Sequence, residues 1–207
     1  MEQIRFSGIP LLTAPGLVMT PRPASEQLVA AATARIGTRR ARIADVGTGS
    51  GPIAIAIATA CPRAEIWATD ASRDAVVLAR ANLRRHRLEG RVVVRRGDLL
   101  DPVPGLLDVI VANLPYLPAS KAADHPELMR EPFAAVFVAG DGLDPYRRLV
   151  DIAPGRLAEG GVLLLQLNHR VVRATRAELP ALRAALDLPA MSAASHTAFE
   201  EISALAA

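Results

Sequence analysis

Short apolar runs recur along the chain: RIADV at residues 42–46, EIWAT at 65–69, RVVVR at 91–95, DVIVA at 108–112 and GVLLLQL at 161–167. Between them lie segments whose apolar residues fall three and four apart, near 26–36, 52–60, 73–86, 145–158 and 171–187. Buried strands separated by helix-length segments are the pattern of a mostly parallel sheet with helices on its faces. The predicted fold class is therefore α/β, a doubly wound sheet. The last twenty residues, LPAMSAASHTAFEEISALAA, predict a final strand or pair of strands.

One segment pits periodicity against context. PIAIAIATA at 52–60 alternates Ile with Ala, a period of two that by itself argues for a strand. It follows a glycine-rich turn, however, and opens on Pro52, whose fixed φ and missing N–H suit the first turn of a helix. Ala is the best helix former, and Ile53 and Ile57 share one helical face. The prediction is a helix.

Composition narrows the class. Of 207 residues, 51% are apolar and 22% charged, enough for one sizeable core and a single domain. No apolar run reaches the roughly 18–20 residues that a bilayer demands, and MEQIRFSGIP lacks the charged-then-apolar order of a secretory signal. A cytoplasmic protein without membrane contact is the expectation. Cys61 is the single cysteine and carries no expected role. The net charge is +3 and the pI near 9.7. Nearly all the basic residues are Arg, which permits an acidic partner without requiring one. The clusters Arg39-Arg40, Arg84-Arg85-His86-Arg87 and Arg95-Arg96 are expected to be solvated element ends. His86, His125, His169 and His196 lack metal-ligand spacing. Tyr146 is assigned to packing, and Asp144 to capping the helix it opens.

The chemistry gathers at strand ends. DVGTGSGP places Gly47, Gly49 and Gly51 two apart between a strand and a helix, where missing side chains let backbone approach a ligand. The spacing is G-x-G-x-G rather than the dinucleotide fingerprint, and no phosphate-binding lysine follows. Asp70 ends the next strand, where a carboxylate can accept both hydroxyls of a ribose; Ser72 is better placed than Asp70 to cap the helix at Arg73. Asp98, in RRGDLLD, follows the third strand. A glycine turn and two acids at successive carboxyl ends fit a nucleoside. The fourth strand then runs into Asn113, Leu114, Pro115 and Tyr116. An isolated Asn-x-Pro would be an ordinary turn.

Taken together, DVGTGSG, Asp70, GDL and NLPY resemble the class I S-adenosylmethionine-dependent methyltransferases. More narrowly, the chain is similar to the HemK-type glutamine methyltransferases, which methylate a glutamine side-chain amide in translation release factors. FSGIPLLTAPGLVMTPRPASE resembles that family's hairpin ending in PRP-x-[TS]-E, and EPFAAVFVAGDGLDPYRRL resembles its DGLD-x-YR segment. The likeness covers roughly residues 5–167. It implies a Rossmann-like, seven-stranded sheet, with a hairpin segment at 1–24 packed on a methyltransferase domain at 25–207.

The resemblance also assigns roles. Asp45, Gly47, Thr48, Gly49, Ser50 and Gly51 would wrap the cofactor, Asp70 would hold its ribose, and Asp98 with Leu99 would flank its adenine. Asn113, Leu114, Pro115 and Tyr116 would form the acceptor site, with Asn113 also touching the cofactor. Arg22, Pro23 and Glu26 would help close the pocket. An amide NH2 is a poor nucleophile because its lone pair is delocalised. Acceptors on its hydrogens, the Asn113 Oδ1 and the Leu114 carbonyl, would hold the nitrogen for transfer. Pro115 would help aim that carbonyl and Tyr116 would cover a flat group. No metal is called for.

The sequence departs from the family in recognisable places. The usual NPPY reads NLPY, the form common in adenine dimethyltransferases of ribosomal RNA, and the usual EIG reads Gln166-Leu167-Asn168. The likeness has no counterpart of the N-terminal helical domain that bacterial members use to engage the release factor. The tail lacks the family's final strand signature. A protein glutamine amide is the leading acceptor; adenine in RNA or DNA, or a small amine or amide, is the alternative. A cofactor-binding partner subunit that has lost transfer is the non-enzymatic one. Oligomeric state is not encoded in any of these features.

Overall fold

The computed structural model describes residues 1–167 and 170–188, together with Thr197, Ala198 and Glu200. The chain opens with a hairpin, β1 (Glu2–Phe6) and β2 (Ile9–Thr13), and a 3-10 turn at Pro23–Ser25 leads into α1 (Glu26–Ile36). There follow β3 (Ala41–Val46), α2 (Pro52–Ala60), β4 (Ala64–Asp70), α3 (Arg73–His86), β5 (Val92–Arg96) and β6 (Leu107–Ala112). Beyond β6, β7 (Leu117–Pro118) and β8 (Phe137–Val138) flank a run of 3-10 turns. The remainder is α4 (Asp144–Ile152), β9 (Leu157–Leu167), β10 (Arg170–Thr175) and α5 (Leu179–Leu186).

Among the described residues the main sheet has six strands in the order β10-β9-β6-β3-β4-β5. All neighbours pair parallel except β9 with β10. The strands expected in the last twenty residues lie outside the described residues, as do Asn168, His169 and His196. Because alternate residues of a strand face opposite ways, each central strand serves two cores. Ile43, Ile66, Val109 and Leu164 pack under α1, α2 and α3, whereas Ala44, Ile110, Leu163 and Leu165 pack under α4 and α5. The helix expected at 52–60 is α2, buried nearly throughout, so its Ile-Ala alternation reflects burial on every side rather than a pleat.

Two expected helices are shorter than their patterns. α4 ends at Ile152 because Pro154 and Gly155 follow in a 3-10 turn, and β9 begins as early as Leu157. The segment expected to be one helix over 171–187 is instead β10 and α5. Val171, Val172 and Thr175 are β-branched, and pairing of Arg170 with Leu167 through Thr175 with Val162 supplies backbone partners that the isolated segment lacks. Asp144 is the first residue of α4 and makes no capping hydrogen bond, contrary to its expected role; Ser72 does cap α3, its Oγ accepting from the Ala75 N–H at 3.3 Å.

The hairpin shares the first core through Phe6 and Leu11, and a buried amide fixes its position. Asn82 of α3 accepts the Leu12 N–H (2.8 Å) and donates to the Leu12 carbonyl (3.0 Å) and the Ser50 carbonyl (2.9 Å). It thus joins the hairpin, α3 and the turn after β3. Asn82→Ala is expected to destabilise the protein by about 2–4 kcal/mol, since it strands buried backbone groups at roughly 1–3 kcal/mol each. Chemical denaturation with an unchanged m-value checks this; a loss below about 0.5 kcal/mol would show the junction to be unimportant.

Candidate active site

The carboxyl ends of β3, β4, β5 and β6 open onto a cavity of about 560 Å³. Its wall includes Gly47, Thr48, Gly49 and Ser50 after β3, Asp70 at the end of β4, and Asp98 and Leu99 after β5. Asn113, Leu114 and Pro115 after β6 also line it. Of the residues singled out in the sequence, Asp45, Gly51, Tyr116, Pro23 and Glu26 stand outside this wall. Glu26 turns away from it to accept the Ser7 N–H of the hairpin at 2.7 Å.

The turn after β3 is held close to β4. The N–H groups of Gly47 and Thr48 both donate to the Thr69 carbonyl at 2.9 Å. Gly47 has φ +74°, and a Cβ there would lie 2.8 Å from Leu114 Cδ2. The missing side chain therefore also gives the NLPY loop room to approach the turn. Under the turn, the fully buried Asp45 accepts from Thr48 Oγ1 (2.7 Å) and from the Ala54 N–H (3.1 Å) through Oδ2. Among the described residues its buried Oδ1 has no hydrogen-bond partner, and neither has Ser50 Oγ. Burial pushes the Asp45 carboxyl up to about 6 against the opposing hydrogen bonds, with a smaller upward contribution from the charge of Asp70.

Asp70 bridges two strand ends. Its Oδ2 accepts the Gly49 N–H at 2.9 Å and its Oδ1 accepts the Ser72 N–H at 2.8 Å. Burial raises its pKa while those two bonds lower it. Each oxygen retains a second lone pair. Asp98 is half exposed and ion-paired with Arg148 of α4, a residue of the cavity wall that the sequence reading did not single out. Leu99 adopts φ +43°, rare for a residue with a side chain, and its carbonyl accepts from Thr69 Oγ1 at 2.7 Å.

The NLPY loop is fixed from behind. Asn113 Nδ2 donates to Ser25 Oγ at 2.8 Å, leaving Oδ1 as the free acceptor of that amide. Ser25 is only 4% exposed, at the start of α1. The Leu114 N–H donates to the Tyr146 hydroxyl at 3.0 Å. Tyr116 lies partly buried, its phenol pushed up by burial and lowered in part by Arg22. Glu131 accepts the Thr20 N–H at 3.0 Å and stands 3.8 Å from Arg22, so the hairpin's exit and the segment before β8 meet beside the cavity, whose wall includes Thr20, Arg22 and Pro132. Ser25, Glu131 and Tyr146 were not expected to serve the site. A signal existed for Tyr146, because a fully buried tyrosine needs a partner for its hydroxyl.

A model of the methyltransferase small domain family matches residues 22–135, more than half of the chain. The release factor glutamine methyltransferase of Gloeobacter violaceus is 42% identical over 154 residues, covering 72% of this chain and 54% of that protein. Its counterpart in Deinococcus radiodurans is 38% identical over 179 residues, covering 86% of this chain and 63% of that protein. The chain thus spans less than two thirds of either relative. Among solved structures, the T. thermophilus 16S rRNA N2 G1207 methyltransferase in complex with AdoMet and guanosine superposes with a TM-score of 0.57 at 22% identity, covering 79% of this chain and 40% of that one. That likeness is one of fold. No helix among the described residues is long and apolar enough to cross a membrane. With the glycine turn, the acidic strand ends and the NLPY loop all inside the matched segment, the chain belongs to the methyltransferase small domain family, as a HemK-like class I methyltransferase.

Proposed function

We propose that the chain is an S-adenosylmethionine-dependent N-methyltransferase whose acceptor is a planar NH2 nitrogen, a glutamine side-chain amide of a protein. The observation that carries this reading is one cavity lined by the glycine turn and Asp70 together with Asn113 and Leu114. The naming of two relatives as release factor glutamine methyltransferases supports the protein acceptor.

The residues present suit the cofactor. Asp70 on the wall, with Asp45 beneath the turn, gives the cradle negative charge; among the described residues Asp45 Oδ1 and Ser50 Oγ are buried without partners, and a Cβ at Gly49 would meet nothing within 4 Å. S-adenosylmethionine, when bound there, supplies an electrophilic methyl on a sulfonium. Asp70 would accept the ribose hydroxyls through its spare lone pairs, with Asp98 and Leu99 beside the adenine. Gly49 and Ser72 keep the Asp70 carboxylate oriented.

The acceptor side needs orientation more than a strong base. Asn113 Oδ1 and the Leu114 carbonyl would each take one hydrogen of the NH2, fixing the nitrogen and favouring its rehybridisation. Ser25 holds Asn113 with that oxygen free, and the residue before Pro115 is kept out of the helical region, which restricts where the Leu114 carbonyl points. Positioning of this kind supplies much of the rate in group transfer.

The test uses the purified chain, methyl-labelled cofactor and cell extract, with label sorted into protein, nucleic acid and small molecules. Label on protein glutamine is expected; label on adenine would replace the acceptor class, and calorimetry showing no binding of the cofactor would end the reading. Asp70→Ala is the accompanying control. It should weaken cofactor binding by about 1.5–3 kcal/mol, the scale of a hydrogen bond to a charged group. Unchanged affinity would remove Asp70 from the ribose.

A further inference from the structure

We infer that Tyr146 is a positioning residue for methyl transfer, and that in this chain a Tyr146–Leu114 clamp stands in for the proline ring of the NPPY form. The inference rests on the proposed reading that the Leu114 carbonyl accepts a hydrogen of the NH2.

Tyr146 lies in the first turn of α4, is fully buried, and stands outside the cavity wall. Its hydroxyl meets three backbone groups. It accepts the Leu114 N–H at 3.0 Å, and its oxygen lies 2.8 Å from the Leu114 carbonyl oxygen and 2.7 Å from that of Gln166 at the end of β9. One hydroxyl hydrogen serves two carbonyls. Donated to Gln166, it leaves both lone pairs of the Leu114 oxygen for the acceptor nitrogen. Shared with Leu114, it still fixes where that oxygen stands. Burial lifts the phenol well above its ordinary range, so the group remains neutral and acts by position rather than by proton transfer.

The Leu at position 114 adds what a proline cannot. A proline there would fix φ through its ring but would have no N–H to give the tyrosine. Leu114 leaves φ free and donates instead, so the hydrogen bond supplies the restraint that the ring would have imposed. The Leu114 side chain is buried in the second core and passes over Gly47, anchoring the same residue from its other end.

Tyr146→Phe removes the hydroxyl and retains the ring. The assay uses the full chain, tritium-labelled methyl on S-adenosylmethionine, and a purified release factor as acceptor. We expect kcat to fall about ten- to thirtyfold while cofactor Kd and acceptor KM stay within about twofold. In a Leu114→Pro background, where the ring restrains φ, the same Tyr146→Phe change should cost less than about threefold. A loss shared equally between kcat and cofactor affinity would mark a purely structural residue. Near-normal kcat in Tyr146→Phe, or an undiminished loss in the Leu114→Pro background, would overturn the clamp. Asn113→Ala in the same assay separates the two readings: if it is impaired while Tyr146→Phe is not, only the clamp falls. If the wild-type chain transfers no label to the release factor, the acceptor reading falls and the clamp with it.

Discussion

Asn113→Ala is expected to retain the fold and most of the cofactor affinity while turnover falls roughly a hundredfold to a thousandfold, the scale seen when one oriented polar group is taken from a catalytic site. Among the described residues the side chain makes a single hydrogen bond, from Nδ2 to Ser25 Oγ. Its removal leaves the nearly buried Ser25 hydroxyl without that partner, which costs about 1 kcal/mol. That is too little to unfold a domain and too local to disturb Asp70. A loop-shaping asparagine would behave differently, losing stability, cofactor binding and turnover together. Asn113→Asp separates the two further. The Ser25 hydroxyl can turn to donate to a carboxylate, so the structural contact survives, yet the neutral, oriented amide has been replaced by a hydrated charge. Turnover should remain as poor as in the alanine variant. The measurements are turnover on the acceptor found by labelling and cofactor affinity by calorimetry. Near-normal turnover in Asn113→Ala would return NLPY to an ordinary turn.

What the sequence made legible is what local pattern controls. α1, α2 and α3 begin and end where their spacing, Pro52 and Ser72 place them. The glycine turn, Asp70 and Asp98 could be read because each sits at the end of a strand, and strand order in an open α/β sheet brings such ends together. The rest depended on partners far along the chain. The β10 segment reads as helix in the sequence because its pairing with β9 is tertiary, and Arg, Val and Ala satisfy either period over six residues. Asp144 stands at a helix start without capping it, since the turn before α4 is held instead by Asp141, whose Oδ1 accepts the Leu143 N–H at 3.1 Å. At the site, the groups that escaped notice act across sequence gaps: Ser25 reaches Asn113 over 88 positions and Tyr146 reaches Leu114 over 32. Residue type hinted at their need for partners and could not name them.

Gly142→Ala tests another dependence of this kind and should do the most general damage. Gly142 has φ +90°, and a Cβ built on it would stand 2.2 Å from the Tyr116 carbonyl oxygen, 2.9 Å from its carbon and 3.0 Å from the Pro118 nitrogen. All three are backbone atoms, so no rotamer change relieves the overlap. The glycine's own turn is poorly able to retreat. Arg147 holds Asp141 on one side of it, and Leu143 and Tyr146 are buried on the other. The backbone of Tyr116 must therefore give way, and with it the pairing of Leu117 with Phe137 and the aim of the Leu114 carbonyl two residues upstream. The left-handed conformation costs an alanine about 1–2 kcal/mol. Forcing packed backbone apart adds about 1–3 kcal/mol. A loss of roughly 2–5 kcal/mol is expected, together with a drop in turnover of more than about a hundredfold, because a displacement near 1 Å suffices for that at a reacting centre. Gly140→Ala is the matched control. It shares the positive φ, at +67°, but a Cβ there meets nothing within 4 Å among the described residues. It should incur only the backbone strain and leave turnover nearly intact. Thermal unfolding and turnover measured on both variants decide the matter: equal behaviour would mean that the contact with Tyr116 does not matter, whereas damage confined to Gly142→Ala would tie the DGLD segment to the acceptor loop by steric necessity.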